Sequence, residues 1–257
     1  LDLSYEFSDD ILAYVTFATG YKSGGFDQRF VGPTPDGAPS SYRPESVDSL
    51  ELGLKTSSLD GRLRVNVAVF DADYDDLQII VRESFNPLTV NAGAARVRGG
   101  ELELQWLASA NWDIGFSAGH LDTKYQRLNQ PAQDSGVRLE NMLANSPTWS
   151  LAAGTSYRLG LRSLGEVTAR LDWAWQDTEY NDAVNSPQIR QSAFHLVNAS
   201  LAFAPWASEW QLTVATRNLF NETYLVSGNS AFDTTAAYVE QVYGRPREFL
   251  VSLTYEL

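Results

Sequence analysis

Two histidines, a run of aspartates and two arginine pairs are the side chains in this 257-residue chain whose types and spacing suit chemistry. His120 and His195 fall on separate segments. A catalytic histidine needs a positioned partner, and no nucleophile motif accompanies either one, so the chain reads as no enzyme, with no catalytic residue. Asp71, Asp73, Asp75 and Asp76 offer the oxygen ligands hard cations take. Three of them alternate along one face, the pattern of a solvated strand end, so no metal site is assigned. Arg62, Arg64, Arg96 and Arg98 fall on what reads as the polar face of neighbouring strands. They are candidates for pairing with those aspartates or for meeting an anionic ligand. Gly24-Gly25 and Gly99-Gly100 open no helix, so no phosphate cradle is expected. Nothing points to a cofactor.

The elements that carry these residues alternate with a period of two. In the last ten residues Phe249, Val251, Leu253, Tyr255 and Leu257 share one face, and Glu248, Leu250, Ser252, Thr254 and Glu256 the other. The same rhythm recurs along the chain and predicts eleven strands with no convincing helix. Two strands change phase. Val65, Val67 and Val69 give way to Phe70, Ala72 and Tyr74 as the apolar set, and Gly99-Gly100 marks a second change. One inserted residue would produce each change, so β-bulges are expected at Val69-Phe70 and Gly99-Gly100.

The connections alternate in length. Short turns are expected at 8–10, 58–61, 107–111, 160–164 and 205–209. Long loops are expected at 22–44, 83–90, 126–147, 180–192 and 226–242, the first punctuated by Gly32-Pro33 and Asp36-Gly37. A meander with all its turns at one end and all its loops at the other gives this order, as a transmembrane antiparallel up-and-down β-barrel does.

Composition agrees. There is no cysteine and therefore no disulfide framework. A net charge of −13, from 32 acidic and 19 basic residues, argues against nucleic acid as a partner. No apolar run reaches the eighteen or so residues of a spanning helix, whereas a spanning strand needs only about ten alternating residues. The apolar faces are rich in Leu, Val and Ala. Trp106, Trp112, Tyr157, Trp206, Trp210 and Tyr255 lie toward the short-turn end, and Tyr74, Tyr125, Trp175, Tyr180 and Phe194 toward the long-loop end. Two aromatic girdles around an aliphatic band are expected of a lipid-facing surface.

Several stretches, taken in order, resemble the C-terminal half of the barrel of TonB-dependent outer-membrane receptors. They are 18–26 (ATGYKSGGF), 42–47 (YRPESV) leading into 50–55, 91–103 (NAGAARVRGGELE), 217–221 (RNLFN) with Tyr224, and 244–247 (GRPR) before the last strand. The resemblance implies a plugged barrel of about 22 strands, of which residues 1–257 form the C-terminal portion. It implies import of a scarce nutrient, such as a ferric siderophore or a vitamin, using energy relayed by TonB. The plug and TonB box do not occur in this chain, and the N-terminal barrel half is expected from elsewhere. Expected partners are outer-membrane lipid, that barrel half and plug, the TonB complex through the plug, the small-molecule nutrient, and the barrel-assembly machinery. The last would read the terminal row Phe249, Val251, Leu253, Tyr255 and Leu257; the final residue departs from the family's usual Phe.

On this reading Arg62, Arg64, Asp71, Asp73, Asp75, Arg96 and Arg98 are candidate lumen, substrate or plug contacts. An eleven-stranded open sheet would leave two unpaired edges in lipid. A passive porin-like channel and a soluble β-sandwich binding module remain as alternatives. The complete protein is expected to require detergent for solubility and to change its gel mobility on heating; a water-soluble monomer would contradict the barrel reading.

Overall fold

Lipid offers no partner to a peptide group, so a spanning sheet must bond every strand to its neighbour. The computed structural model describes residues 1–27, 39–83, 86–235 and 237–255. Its main sheet has eleven antiparallel strands: β1 (Asp2–Ser8), β2 (Ile11–Lys22), β5 (Glu45–Ser58), β6 (Leu63–Asp75), β9 (Gly93–Ser109), β10 (Trp112–Leu128), β11 (Trp149–Leu161), β12 (Gly165–Gln176), β15 (Phe194–Ala204), β16 (Trp210–Arg217) and β19 (Glu248–Tyr255). Each strand pairs with the next in the order of the chain, which is the expected meander. Short turns join one end and long connections the other.

The long connections fold on themselves. Paired short strands form four small hairpins: β3 (Gly25–Phe26) with β4 (Ser41–Tyr42), β7 (Gln78–Glu83) with β8 (Asn86–Asn91), β13 (Glu179–Tyr180) with β14 (Arg190–Gln191), and β17 (Leu225–Ser230) with β18 (Val239–Tyr243). These hairpins move the expected loop boundaries: the second connection starts at residue 76, because the apolar run from Leu77 to Val81 belongs to its hairpin. A five-residue helix, α1 (Gln130–Asp134), follows β10, with Pro131 in its first turn. It is too short for a helical period to show in the sequence. Gly32-Pro33, Asp36-Gly37, Glu256 and Leu257 lie outside the described residues.

The apolar face of the sheet is uncovered. Leu52 and Val69 are each 50% exposed and Leu201 is 57% exposed. A sandwich would bury such residues in protein; here they lie open, as the outward face of a membrane-spanning barrel does. The buried cluster lies instead among the loops, where Val81, Ala92, Ala132, Val137 and Ala183 meet Ala95 and Tyr125 of the sheet.

Neither expected bulge is present. Pairing runs unbroken from Ser46↔Asp75 to Ser58↔Leu63, and from Leu63↔Trp106 to Tyr74↔Ala95. The two changes of phase fall on paired residues, Val69↔Gly100 and Phe70↔Gly99. What changes there is the surroundings, not the register. Below this level the outward side meets hydrocarbon and carries Val67, Val69, Leu102 and Leu104. Above it the outward side is wet and carries Asp71, Asp73, Arg96 and Arg98. The inward side turns apolar in exchange, because Ala72, Tyr74, Ala95 and Tyr125 pack beneath the loops. Gly99 stays flat for a local reason: a Cβ there would stand 2.4 Å from the Phe70 ring.

The lower girdle forms on the outward face. Trp112 meets Tyr157 edge-on at 6.5 Å, Trp210 pairs with Tyr255, and Trp106 pairs with Leu63. Trp206 donates its indole N–H to the Arg162 carbonyl at 2.7 Å in the turn below. The upper girdle differs from expectation. Tyr74, Tyr125 and Phe194 sit on the inward side, and Tyr180 lies in a loop hairpin. Trp175 is outward, joined by Trp149, which stacks on His120 at 4.5 Å. The aromatic residues above the hydrocarbon level thus serve two ends, interface contact outside and loop packing inside.

The Tyr14 ring lies across Gly53, where a Cβ would come within 2.1 Å of it, while a Cβ at Gly115 meets nothing closer than 4.0 Å. Gly53→Leu in the complete receptor should destabilise the barrel by about 1–3 kcal/mol, read as a lower midpoint in urea titrations of the heat-modifiable band. Gly115→Leu should leave the midpoint near the wild-type value.

Candidate functional site

The inward face of the strands is a polar wall. Tyr14 donates its hydroxyl to Glu51 at 2.7 Å, and Lys55 Nζ stands 5.5 Å from the centre of the same ring. Thr16 bonds Asp2 at 2.6 Å, and Asn66 donates to Glu103 at 3.2 Å. Arg170 grips Asp172 with two bonds of 2.8 and 2.7 Å. Strand alternation places all of these opposite the aliphatic band.

Of the residues expected on this wall, register places Arg64 there, paired with Gln105. Arg62 lies in the turn before β6, where its Nε donates to the Leu59 carbonyl at 3.1 Å. Asp71, Asp73, Asp75, Arg96 and Arg98 face outward, which corrects the expected lumen placement. The inferred bulges would have turned them inward, and the unbroken register does not. Instead they bond one another. Arg96 takes Asp71 in a two-pronged pair and reaches Asp73 at 3.5 Å. Arg98 Nε donates to Asp71 at 3.0 Å, and Arg127 bonds Asp75 at 2.9 Å. Asp76 pairs separately with Arg43. Among the described residues no three His, Asp or Glu side chains converge as metal ligands. His120 and His195 lie on different strands, each against an aromatic ring.

Above the wall the loops enclose a cleft of about 830 Å³. Ile79, Val81, Leu143, Val184 and Phe232 give it an apolar lining, and Lys22, Arg82, Asn145, Asn181 and Asn229 supply polar groups. That volume lies within the ~300–1,000 Å³ of small-molecule sites, and so does the mixture of apolar walls with a few polar anchors. Arg82 also donates to the Tyr238 hydroxyl at 3.3 Å, tying the β7–β8 hairpin to the residue that precedes β18. Nearby, burial pushes the Glu179 carboxyl above its usual range, opposed by a hydrogen bond from Gln176.

Side-chain amides hold this mouth together. An amide both donates and accepts, so one residue can pin two backbone segments. Gln78 donates to the carbonyls of Ser23 and Arg43, both at 3.0 Å. Asn91 accepts from Arg43 N–H at 2.8 Å and donates to Arg43 and Asp76 carbonyls at 3.0 and 2.7 Å. Asn185 exchanges both bonds with the Met142 backbone, at 2.8 and 2.9 Å. Asn218 is buried and left-handed (φ 49°). It donates to the Glu222 and Arg245 carbonyls at 2.8 and 3.1 Å and accepts from Glu222 N–H at 2.7 Å. Asn221 accepts from Arg247 N–H at 2.9 Å. Sequence reasoning missed these clasps because their partners are backbone groups, most of them far along the chain. The only signal was indirect: Arg43, Asn91, Asn218 and Asn221 all fall within the stretches that carry the family resemblance.

A family model for the β-barrel of TonB dependent receptor-like proteins matches residues 1–219. The chain is 24% identical over 228 residues to the pesticin receptor of Yersinia pestis, covering 89% of this chain and 32% of that protein. It is 23% identical over 233 residues to the ferripyoverdine receptor of Pseudomonas aeruginosa, covering 86% and 26%. Among solved structures it resembles the ferric yersiniabactin uptake receptor from Yersinia pestis, with a TM-score of 0.79 at 21% identity over 98% of this chain and 36% of that one. The ferric preacinetobactin receptor from Acinetobacter baumannii gives 0.70 at 17% identity, over 99% and 35%. The chain spans about a third of the length of the pesticin receptor.

Asn218→Ala should leave buried backbone groups unpaired, costing about 1–3 kcal/mol. Limited proteolysis of the complete receptor should then cut within residues 218–247 faster than in the wild type. Asn218→Gly, which suits the left-handed backbone but restores no bond, should be cut nearly as fast.

Proposed function

The chain belongs to the TonB-dependent receptor family, β-barrel receptors and transporters of the Gram-negative outer membrane, and from that premise we propose that the complete protein captures a ferric siderophore or comparable scarce nutrient in its loop-lined cleft. The nutrient then passes through the polar lumen, driven by energy that TonB transmits. The observation that carries this reading is the placement of the cleft. It opens among the loops, and Lys22 and Tyr125 in its lining lie on the inward face of the sheet, the face that carries the wall of Glu, Asp, Arg and Tyr side chains.

A metal chelate with an organic skeleton needs apolar contact for the skeleton and hydrogen bonds or charge for its oxygen-rich centre. Ile79, Val81, Leu143 and Phe232 serve the first need, and Arg82 and Lys22 the second. Arg64, on the inward face, is suited to contact the lumen contents or the plug.

Residues 1–257 are then the C-terminal portion of the barrel domain. Both sheet edges support this. β1 and β19 end the sheet, and an unbonded strand edge in hydrocarbon costs several kcal/mol per orphan group. The N-terminal barrel half would pair with both edges, and the plug would occupy the lumen and carry the contact to TonB. The outward row of β19 (Phe249, Val251, Leu253 and Tyr255), 62–73% exposed, is suited to recognition by the barrel-assembly machinery, with Leu257 next in the alternation.

The complete receptor should quench in tryptophan fluorescence on titration with one member of a panel of ferric siderophores, and restore uptake of that chelate to a receptor-deleted strain under iron limitation. Arg82→Ala should weaken binding about tenfold or more, the loss of one charge-assisted hydrogen bond. Uptake that persists after the proton gradient is collapsed would indicate a passive channel instead. No saturable binding of any chelate or vitamin would remove the nutrient reading.

A further inference from the structure

Tyr125 lines the loop-enclosed cleft from the inward face of β10, where it pairs with Ala95. It is only 5% exposed, and its ring belongs to the buried cluster with Val81, Val137 and Ala183. A buried tyrosine hydroxyl usually finds a partner. Those of Tyr14 and Tyr243 donate to Glu51 and Gln241, and that of Tyr238 accepts from Arg82. The Tyr125 hydroxyl makes no hydrogen bond among the described residues. Nor is it sealed in: the unpartnered side-chain atoms closed off from solvent there are Asp27 Oδ2, Gln188 Oε1 and Thr216 Oγ1. The hydroxyl therefore opens on the cleft that its residue lines.

The charges around the cleft are unbalanced. Its lining holds two cations, Lys22 and Arg82, and three carboxylates, Asp134, Asp182 and Asp233. Among the described residues none of the five makes an ion pair, so the excess of negative charge is not cancelled locally. Asp182 is held by Ser186, whose N–H and hydroxyl donate to it at 2.8 and 2.5 Å. It lies close enough for its charge to act on the Tyr125 hydroxyl. An anionic oxygen brought to that hydroxyl would meet the Asp182 carboxylate in apolar surroundings, where repulsion is least screened. An uncharged carbonyl oxygen accepts the same proton without that cost.

We propose that Tyr125 is a specificity-determining contact of the cleft, its hydroxyl donating to an uncharged carbonyl oxygen of the ligand, so that uncharged chelates of hydroxamate or amide type bind ahead of anionic ones. On the nutrient reading, on which this assignment rests, the ligand thereby narrows to one chemical class. A ferric trihydroxamate has no net charge and turns carbonyl oxygens outward, and an amide-bearing vitamin does the same. Lys22 and Arg82 donate to neutral oxygens as well as to charged ones. The Tyr125 ring is already fixed by the cluster around it, and its hydroxyl gives up no protein bond, so little is lost when the ligand bond forms.

The test is isothermal titration calorimetry of the complete receptor in detergent with probes graded by charge. Ferrioxamine E, ferrichrome and cyanocobalamin are the uncharged probes; ferric enterobactin and ferric citrate are the anionic ones. An uncharged probe should bind tightest. Tyr125→Phe should weaken its binding about three- to tenfold, the loss of one neutral hydrogen bond. The same variant should keep the urea midpoint of the heat-modifiable band at or above the wild-type value, because no protein bond is lost. Tyr243→Phe, which removes a hydroxyl bonded to Gln241 outside the cleft lining, should bind like the wild type. Tightest binding of an anionic probe, or unchanged affinity in Tyr125→Phe, would overturn the assignment and leave the nutrient reading standing. A lowered midpoint in Tyr125→Phe would mark the hydroxyl as structural and overturn it as well. No saturable binding of any probe would remove the nutrient reading and the assignment with it.

Discussion

A peptide group that faces hydrocarbon finds no water, so its hydrogen bond must come from the neighbouring strand or not at all. The rest of the structure follows from that. The eleven strands pair in chain order, and register continues through Val69-Phe70 and Gly99-Gly100, where the side-chain pattern changes character. Because register cannot slip without orphaning backbone groups, the sequence adapts to its surroundings by changing residues on a fixed ladder. The exchange at Phe70 and Gly99 shows this most directly. The outward side passes from valine and leucine to aspartate and arginine, and the inward side from asparagine and glutamate to phenylalanine, alanine and tyrosine.

The same constraint divides the labour between sheet and loops. Along the aliphatic band the strands bury little against protein; their apolar residues face outward, and their polar ones face inward. Among the described residues the buried cluster forms where the chain leaves the sheet, around Val81, Ala92, Tyr125, Val137 and Ala183. There the backbone must be satisfied without a long ladder. Short hairpins satisfy part of it, and amides at Gln78, Asn91, Asn185 and Asn218 satisfy the junctions. A cleft lined by loops keeps its shape only if its walls are held, and these clasps fix the loop bases to the rim. The Arg82–Tyr238 bond, across 156 positions of sequence, joins two such walls.

The fold was almost fully legible in the sequence. Period-two alternation named the strands, turn residues separated them, and the strict exchange of short and long connections gave the up-and-down order. The lower girdle was legible too, because Trp106, Trp112, Tyr157, Trp210 and Tyr255 all precede or follow short turns on the aliphatic face. The upper girdle was not. Tyr74 and Tyr125 lie at the right height, yet which way they point depends on where the membrane ends, and a single strand does not say. The candidate site suffered from the same ambiguity. A change of phase in one strand reads equally as an inserted residue or as a change of medium. Only the pairing of Phe70 with Gly99 across two strands separates those cases.

The sequence by itself therefore determined the class of structure, because alternation, turn chemistry and loop length are local properties of a chain that must bond its own backbone. Tertiary structure alone decided the faces. It turned Asp71, Asp73, Asp75, Arg96 and Arg98 outward, kept Arg64 inward, and brought Asn218 to Arg245 and Arg82 to Tyr238. Those outcomes rest on pairings between distant residues and on the height at which lipid gives way to water, and neither is written in the spacing of any one segment.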